Sequence, residues 1–233
     1  MSKQTHEYSH CPYSVVVNDP KDITTCNIQP ARPSPPLVIA ALDLKTILSD
    51  GKLNEIIVSS IVCHECVEID GPTPNVKAGY RSMTIIRKLD VNLILVAPEI
   101  AKEQNIQRVN DERSLLTVLL GKLKSLDPDI IIGHNFIGFD LDVLLHRCQA
   151  LGIKQWSQLG RLKKTVMPKL QKGAGGMGDS DFAERSIMIG RIVVDTYIGA
   201  REFMTKEKSF GLTDLCLRIG EQRMELDQTN IPT

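Results

Sequence analysis

Two long apolar runs, PLVIAALDL (Pro36–Leu44) and NEIIVSSIVCHECVEI (Asn54–Ile69), stand on either side of the turn signal SDGK, and this pairing limits the fold more than any other feature of the chain. Both runs are apolar and carry enough Val and Ile for buried strands, and Asp-Gly between such runs is a strong hairpin signal. The stretch DGPTP then breaks the pattern, after which MTIIRK and NLILVA read as further extended segments, the second closed by Pro98. The first half is therefore β-rich.

From Asp111 the period changes. Leu115, Leu116, Leu119, Leu120 and Leu123 recur at helical spacing, with Asn110 as the expected N-cap and an end near DPD. IIIG reads as a short buried strand, and FDLDVLLHRCQALG as a second helix stopped by Gly152. IMIGRIVVD reads as a strand or hairpin, and GLTDLCLRIG as a short helix. Antiparallel strands followed by strand, helix and strand predict an α/β fold with a mixed sheet, the layout of a ribonuclease H-like protein.

Pro20, Pro30, Pro33, Pro35 and Pro36 resist a helix, so residues 1–36 read as part of an amino-terminal region ending in a Pro-rich linker, and residues 37–233 as the main domain. With 233 residues and 42% hydrophobic content, the chain can bury a real core. Lys plus Arg and Asp plus Glu both number 28, so any surface for nucleic acid must be local. The opening MSKQTHEYSH lacks an apolar leader and no run of about 18 apolar residues follows, which predicts a soluble intracellular protein with no membrane partner. Six scattered cysteines predict reduced thiols.

Asp43 and Asp140 are the acids placed for chemistry, one near a strand end and one at a helix start, where α/β sheets gather their sites. Two carboxylates there suit Mg²⁺, and two metal ions about 3.5–4 Å apart can drive phosphodiester hydrolysis. Such a site needs several converging carboxylates. Residues i and i+2 of a strand share a face, so the natural second ligand after Asp43 falls at position 45, which is Lys45. By spacing alone, Asp43 also fits a solvated strand-end acid paired with that lysine.

The string GHNFIGFDLDVLL brings Asn135, Gly138, Phe139 and Asp140 between a buried strand and a helix. N-x-x-G-F-D after an apolar strand resembles the second exonuclease motif of family B DNA polymerases, and LDLK lies where proofreading members of that family carry D-I-E. QWSQLGRLKK, MPKL and GRIVVDTYIGAREF narrow the resemblance to a replicative member that extends RNA primers made by a primase partner. The likeness covers roughly Pro35 to Gly220.

The resemblance implies a ribonuclease H-like 3′–5′ exonuclease domain of a nuclear replication protein, ending before the third exonuclease motif. Asp43 and Asp140 become vestigial catalytic candidates, with Lys45 in place of the expected glutamate. Asn135, Gly138, Phe139 and Asp195 become structural motif residues. The implied partners, through the parent protein, are DNA template, RNA–DNA primer, primase and accessory subunits. No cofactor is expected for this domain itself: Mg²⁺ would serve the parent polymerase, and Mg²⁺ or Mn²⁺ would bind here only if the exonuclease site survives.

Three readings stay open on the sequence: a non-hydrolysing scaffold, a working exonuclease in which Asp142 or Asp195 replaces the lost glutamate, and a protein-interaction module. Between Val143 and Gly178 the chain carries Arg147, Lys154, Arg161, Lys163, Lys164, Lys169 and Lys172 with no acid, and Arg161, Lys163, Lys164 and Lys169 are the nucleic-acid-binding candidates. A solvated face or a contact to another domain fits the same run. Trp156 reads as a packing anchor and Asp214 as a helix-surface acid. Cys63 and Cys66 have half a zinc spacing but alternate faces of a strand, and GAGGMGDSD lacks the strand and helix of a phosphate loop.

Overall fold

A computed structural model describes residues 8–11, 15, 17–23, 34–49, 53–72, 79–88, 105–170 and 185–223. NLILVA, GAGGMGDSD, Lys172 and the end after Arg223 lie outside these residues. The described strands are β1 (Leu37–Leu48), β2 (Asn54–Val67), β3 (Tyr80–Arg87), β4 (Ile106–Val109), β5 (Ile130–Gly133) and β6 (Ile192–Asp195). They form one sheet in the order β4-β3-β2-β1-β5-β6. β1, β2 and β3 pair antiparallel, while β5 and then β6 add parallel to β1. This is the expected ribonuclease H-like layout with one addition, β4, which runs parallel to β3 at the far edge.

Period-2 burial sorts β1. Ala40, Leu42 and Leu44 turn into the core, while Ala41 and Asp43 face out. The β1–β2 register shifts by one residue between Lys45 and Thr46, so that Ile57 is the extra residue of a bulge. Asp43 and Lys45 lie just before it and share the outward face.

Helix α1 (Glu112–Leu126) covers the inner face, its five leucines at 115, 116, 119, 120 and 123 fully buried. Each contributes roughly 1.5–3 kcal/mol of burial. The N-cap is Asp111, whose carboxylate accepts the Ser114 N–H at 2.7 Å, one residue after the expected Asn110. Helix α2 (Leu141–Ala150) contributes Leu141, Leu144, Leu145 and Cys148 to the same core. Buried Glu112 joins three elements: Oε1 accepts the Ile56 N–H of β2 at 2.7 Å and Arg147 Nε of α2 at 2.9 Å.

Only Ile192–Asp195 of the string IMIGRIVVD is extended; Ile187 and Met188 are buried in a short 3₁₀ turn, Ser186–Met188, and no hairpin forms. That turn presses on Gly160, where a Cβ would sit 2.0 Å from Ile187 O, so no other residue fits without movement. Two helices follow β6, α3 (Thr196–Phe203) and α4 (Leu212–Arg218). Among the described residues no helix is long and apolar enough to cross a membrane.

The lower end of the parallel strands is closed by charges. Asp129 N donates to Val38 O at 2.8 Å, its Oδ2 accepts the Val38 N–H at 2.9 Å, and its carbonyl accepts the Ile192 N–H at 2.8 Å, so one residue ties β1, β5 and β6. Arg161 reaches Asp127 Oδ1 at 2.9 Å and Asp129 Oδ1 at 2.8 Å, and Arg191 shares the same Asp127 oxygen.

Candidate functional site

The acids gather at the opposite end, where β5 and β6 finish. After Gly133 the chain passes His134 and Asn135 and enters one wide π-type turn, Phe136–Asp140, that runs directly into α2. Asn135 sits in the left-handed region with φ of 56°, which asparagine tolerates better than most residues. A Cβ on Gly138 would lie 2.6 Å from Asn135 Oδ1. The N-x-x-G pattern thus has a steric cause: the asparagine side chain folds over a position that must lack one. Phe136 is fully buried and Phe139 half-buried, which anchors the turn so that Asp140 enters the site from the helix start.

Asp195 fixes this turn from β6. Its Oδ1 accepts the Asn135 and Tyr197 N–H groups at 2.9 and 3.0 Å, and its Oδ2 accepts the Ile137 N–H at 2.9 Å. Three backbone donors on one carboxylate make a clamp and a helix cap, since charged acceptors bind N–H groups more strongly than neutral ones. Asp142 is two residues beyond Asp140, about 200° around α2, and pairs with His146 Nδ1 at 3.0 Å. It therefore faces away from Asp140.

Lys45 points toward Asp43, with Nζ 3.5 Å from Oδ2. Both are part-exposed, at 31% and 50%, so the pair itself adds at most about 1 kcal/mol of stability. Its importance lies in where the positive charge stands. Asp140 is only 6% exposed, and burial pushes its carboxyl up to about 8, helped by the Asp43 charge and opposed by Lys45. Burial therefore favours the protonated form of Asp140 beside the Asp43–Lys45 pair.

Composition and spacing did not single out His134, which completes the rim. Thr196 Oγ lies 3.3 Å from Gly133 O and 3.0 Å from His134 Nδ1, which fixes the imidazole against the end of β5. Its ring meets Tyr197 edge to face at 5.7 Å, and Tyr197 meets Phe210 at 6.4 Å. Burial lowers the His134 imidazole below its ordinary range, against the pull of Asp195 and Asp43. The only advance signal was the His-Asn step after IIIG.

The basic run separates into two kinds of residue. Arg147 is bound to Glu112, and Arg161 to Asp127 and Asp129, so both guanidiniums hold the fold together. Lys164 Nζ donates to Ser186 Oγ at 2.7 Å, while Lys154, Lys163 and Lys169 are exposed. Trp156 is buried in the core. Cys63 is buried and Cys66 exposed, on opposite faces of β2, and Asp214 accepts from Ser209 Oγ at the start of α4. Among the described residues no three His, Cys, Asp or Glu side chains come together as a metal cluster.

The mixed sheet, with Asp43 midway along β1 (Leu37–Leu48) and not near the strand end expected from the sequence, Asp195 closing β6 and Asp140 at the head of α2, defines an exonuclease-type domain, and the family profile of the DNA polymerase family B exonuclease domain matches residues 1–215. The chain belongs to that family. It is similar to proteins named DNA polymerase alpha catalytic subunit: 35% identical over 98% of this chain in Oryza sativa subsp. japonica, 35% over 96% in Arabidopsis thaliana, and 38% over 84% in Trypanosoma brucei brucei. It spans 16%, 16% and 14% of those relatives' lengths.

Proposed function

We propose that this domain is a non-hydrolysing, exonuclease-like scaffold of a DNA polymerase α catalytic subunit, supporting a nuclear polymerase that extends RNA primers on a DNA template. The observation that carries the reading is the Lys45 ammonium 3.5 Å from Asp43, on the strand face where a second carboxylate ligand would stand. A unit charge 4 Å away is worth roughly 4 kcal/mol at an effective dielectric near 20, and against a divalent cation the repulsion is larger still. With the Lys45 ammonium beside Asp43 and Asp195 taken up by three N–H groups, the residues present do not fit a pair of Mg²⁺ ions.

Without a metal there is no activated water and no counter-charge for a leaving oxygen. What remains is a domain whose solvent-exposed Lys163 and Lys169 suit sequence-neutral phosphate contact. Template, RNA–DNA primer, primase and accessory subunits are the partners this role implies, and Mg²⁺ would act at the polymerase centre of the parent protein.

The test follows a 3′-labelled single strand in Mg²⁺ and in Mn²⁺ with a polypeptide extended past Thr233 to the length of the relatives, and with its Asp140→Ala variant. The scaffold predicts the same negligible loss of label from both. Loss confined to the unsubstituted protein would establish a working exonuclease and overturn the proposal.

A further inference from the structure

The segment Tyr8–Cys11 lies about 150 residues before the basic stretch, yet it is laid across it as a short antiparallel strap. His10 N donates to Arg161 O at 2.7 Å, Lys163 N donates to Tyr8 O at 3.0 Å, and Ser9 bridges Leu162. Ser9 Oγ donates to Arg161 O at 3.1 Å and accepts the Cys11 N–H at 2.9 Å. One side chain pins the strap to the core: His10 Nε2 lies 3.0 Å from Oγ of buried Ser157 in the turn Lys154–Leu159.

The charges that act on this imidazole are all positive. Lys124 comes from the last turn of α1, Lys163 from the strapped segment, and Arg191 from the residue before β6. Asp127, which Arg161 and Arg191 both approach, is bound by those two guanidiniums. Burial first, and then these three cations, lower the His10 imidazole below its ordinary 6.5.

We propose that Tyr8–Cys11 is an acid-released latch: neutral His10 seats it on Arg161–Lys163, and a protonated imidazole facing Lys124, Lys163 and Arg191 unseats it. A histidine with a depressed folded pKa contributes its full stabilisation above its unfolded pKa and loses it as pH falls through the folded value. Release uncovers the Arg161 carbonyl and the Lys163 N–H at the edge of the basic stretch.

The experiment is amide hydrogen exchange on the whole 233-residue chain at two pH values on either side of the His10 ring titration followed by NMR, each rate referenced to its intrinsic value. The His10 and Lys163 amides lose protection by about tenfold or more on acidification, with a midpoint that coincides with the ring titration, while Leu123 in α1 stays protected. His10→Gln, which keeps a neutral partner for Ser157, removes the acid dependence. Equal protection at the two pH values in the unsubstituted chain, the same acid loss in His10→Gln, or separated midpoints would each overturn the latch.

Discussion

Asp140→Asn unfolds at a higher temperature than the unsubstituted domain at about pH 8.5, and the gap closes as pH falls toward 4. A carboxyl held at about 8 in the fold and near its ordinary 3.8 in the unfolded chain stays protonated in the native state while the unfolded state ionises. Native stability therefore falls as pH rises between those values and levels off above about 8. The span corresponds to on the order of 5 kcal/mol, and relaxation around a charged Asp140 can only reduce it. For a domain of this size that is roughly 10 °C in melting temperature. Asparagine has no charge to bury and escapes the penalty. Melting curves of the two proteins at five pH values check this, and parallel profiles would mean that Asp140 is ionised in the fold.

Lys45→Glu behaves differently in chelator and in metal. In EDTA the variant melts below the unsubstituted domain, because a new carboxylate joins Asp43 and buried Asp140 in place of the ammonium that offset them. Millimolar Mn²⁺ or Mg²⁺ reverses the loss, since a ligand that binds only the native state stabilises it by about 2.7 kcal/mol at a hundredfold excess over its dissociation constant. The unsubstituted domain shows no such rise. Differential scanning calorimetry of both proteins with and without metal measures the contrast, and an equal metal response in the two would remove Lys45 as the deciding residue.

The parts of this fold legible in the sequence are those with a strong period. The β1–β2 hairpin announced itself through apolar runs about a turn, and α1 through leucines at helical spacing. β4 escaped because IQRV carries two polar residues in four and has no alternation to detect. The cap of α1 shifted by one residue because Asn110 and Asp111 are both capping types, and only geometry chooses between them.

At the site, motif spacing named Asp43, Lys45, Asn135, Gly138 and Asp140, and strand periodicity placed Lys45 on the same face as Asp43. The direction of its side chain needed coordinates, because a bulge follows immediately and a flexible stem can turn away. Charge counting along the chain misjudged the basic run more seriously. Arg161 is neutralised by Asp127 and Asp129, 34 and 32 residues earlier, and Arg147 by Glu112, 35 residues earlier, so no local window could reveal that these guanidiniums are committed.

Calorimetric titration of the unsubstituted domain with Mn²⁺ at about pH 7.5, alongside Asp43→Ala, tests most directly whether an ammonium has replaced a metal here. Neither protein binds Mn²⁺ with site stoichiometry at submillimolar concentration if Lys45 stands in for the metal. Binding of one or two ions to the unsubstituted domain that disappears in Asp43→Ala would contradict it and return this site to metal chemistry.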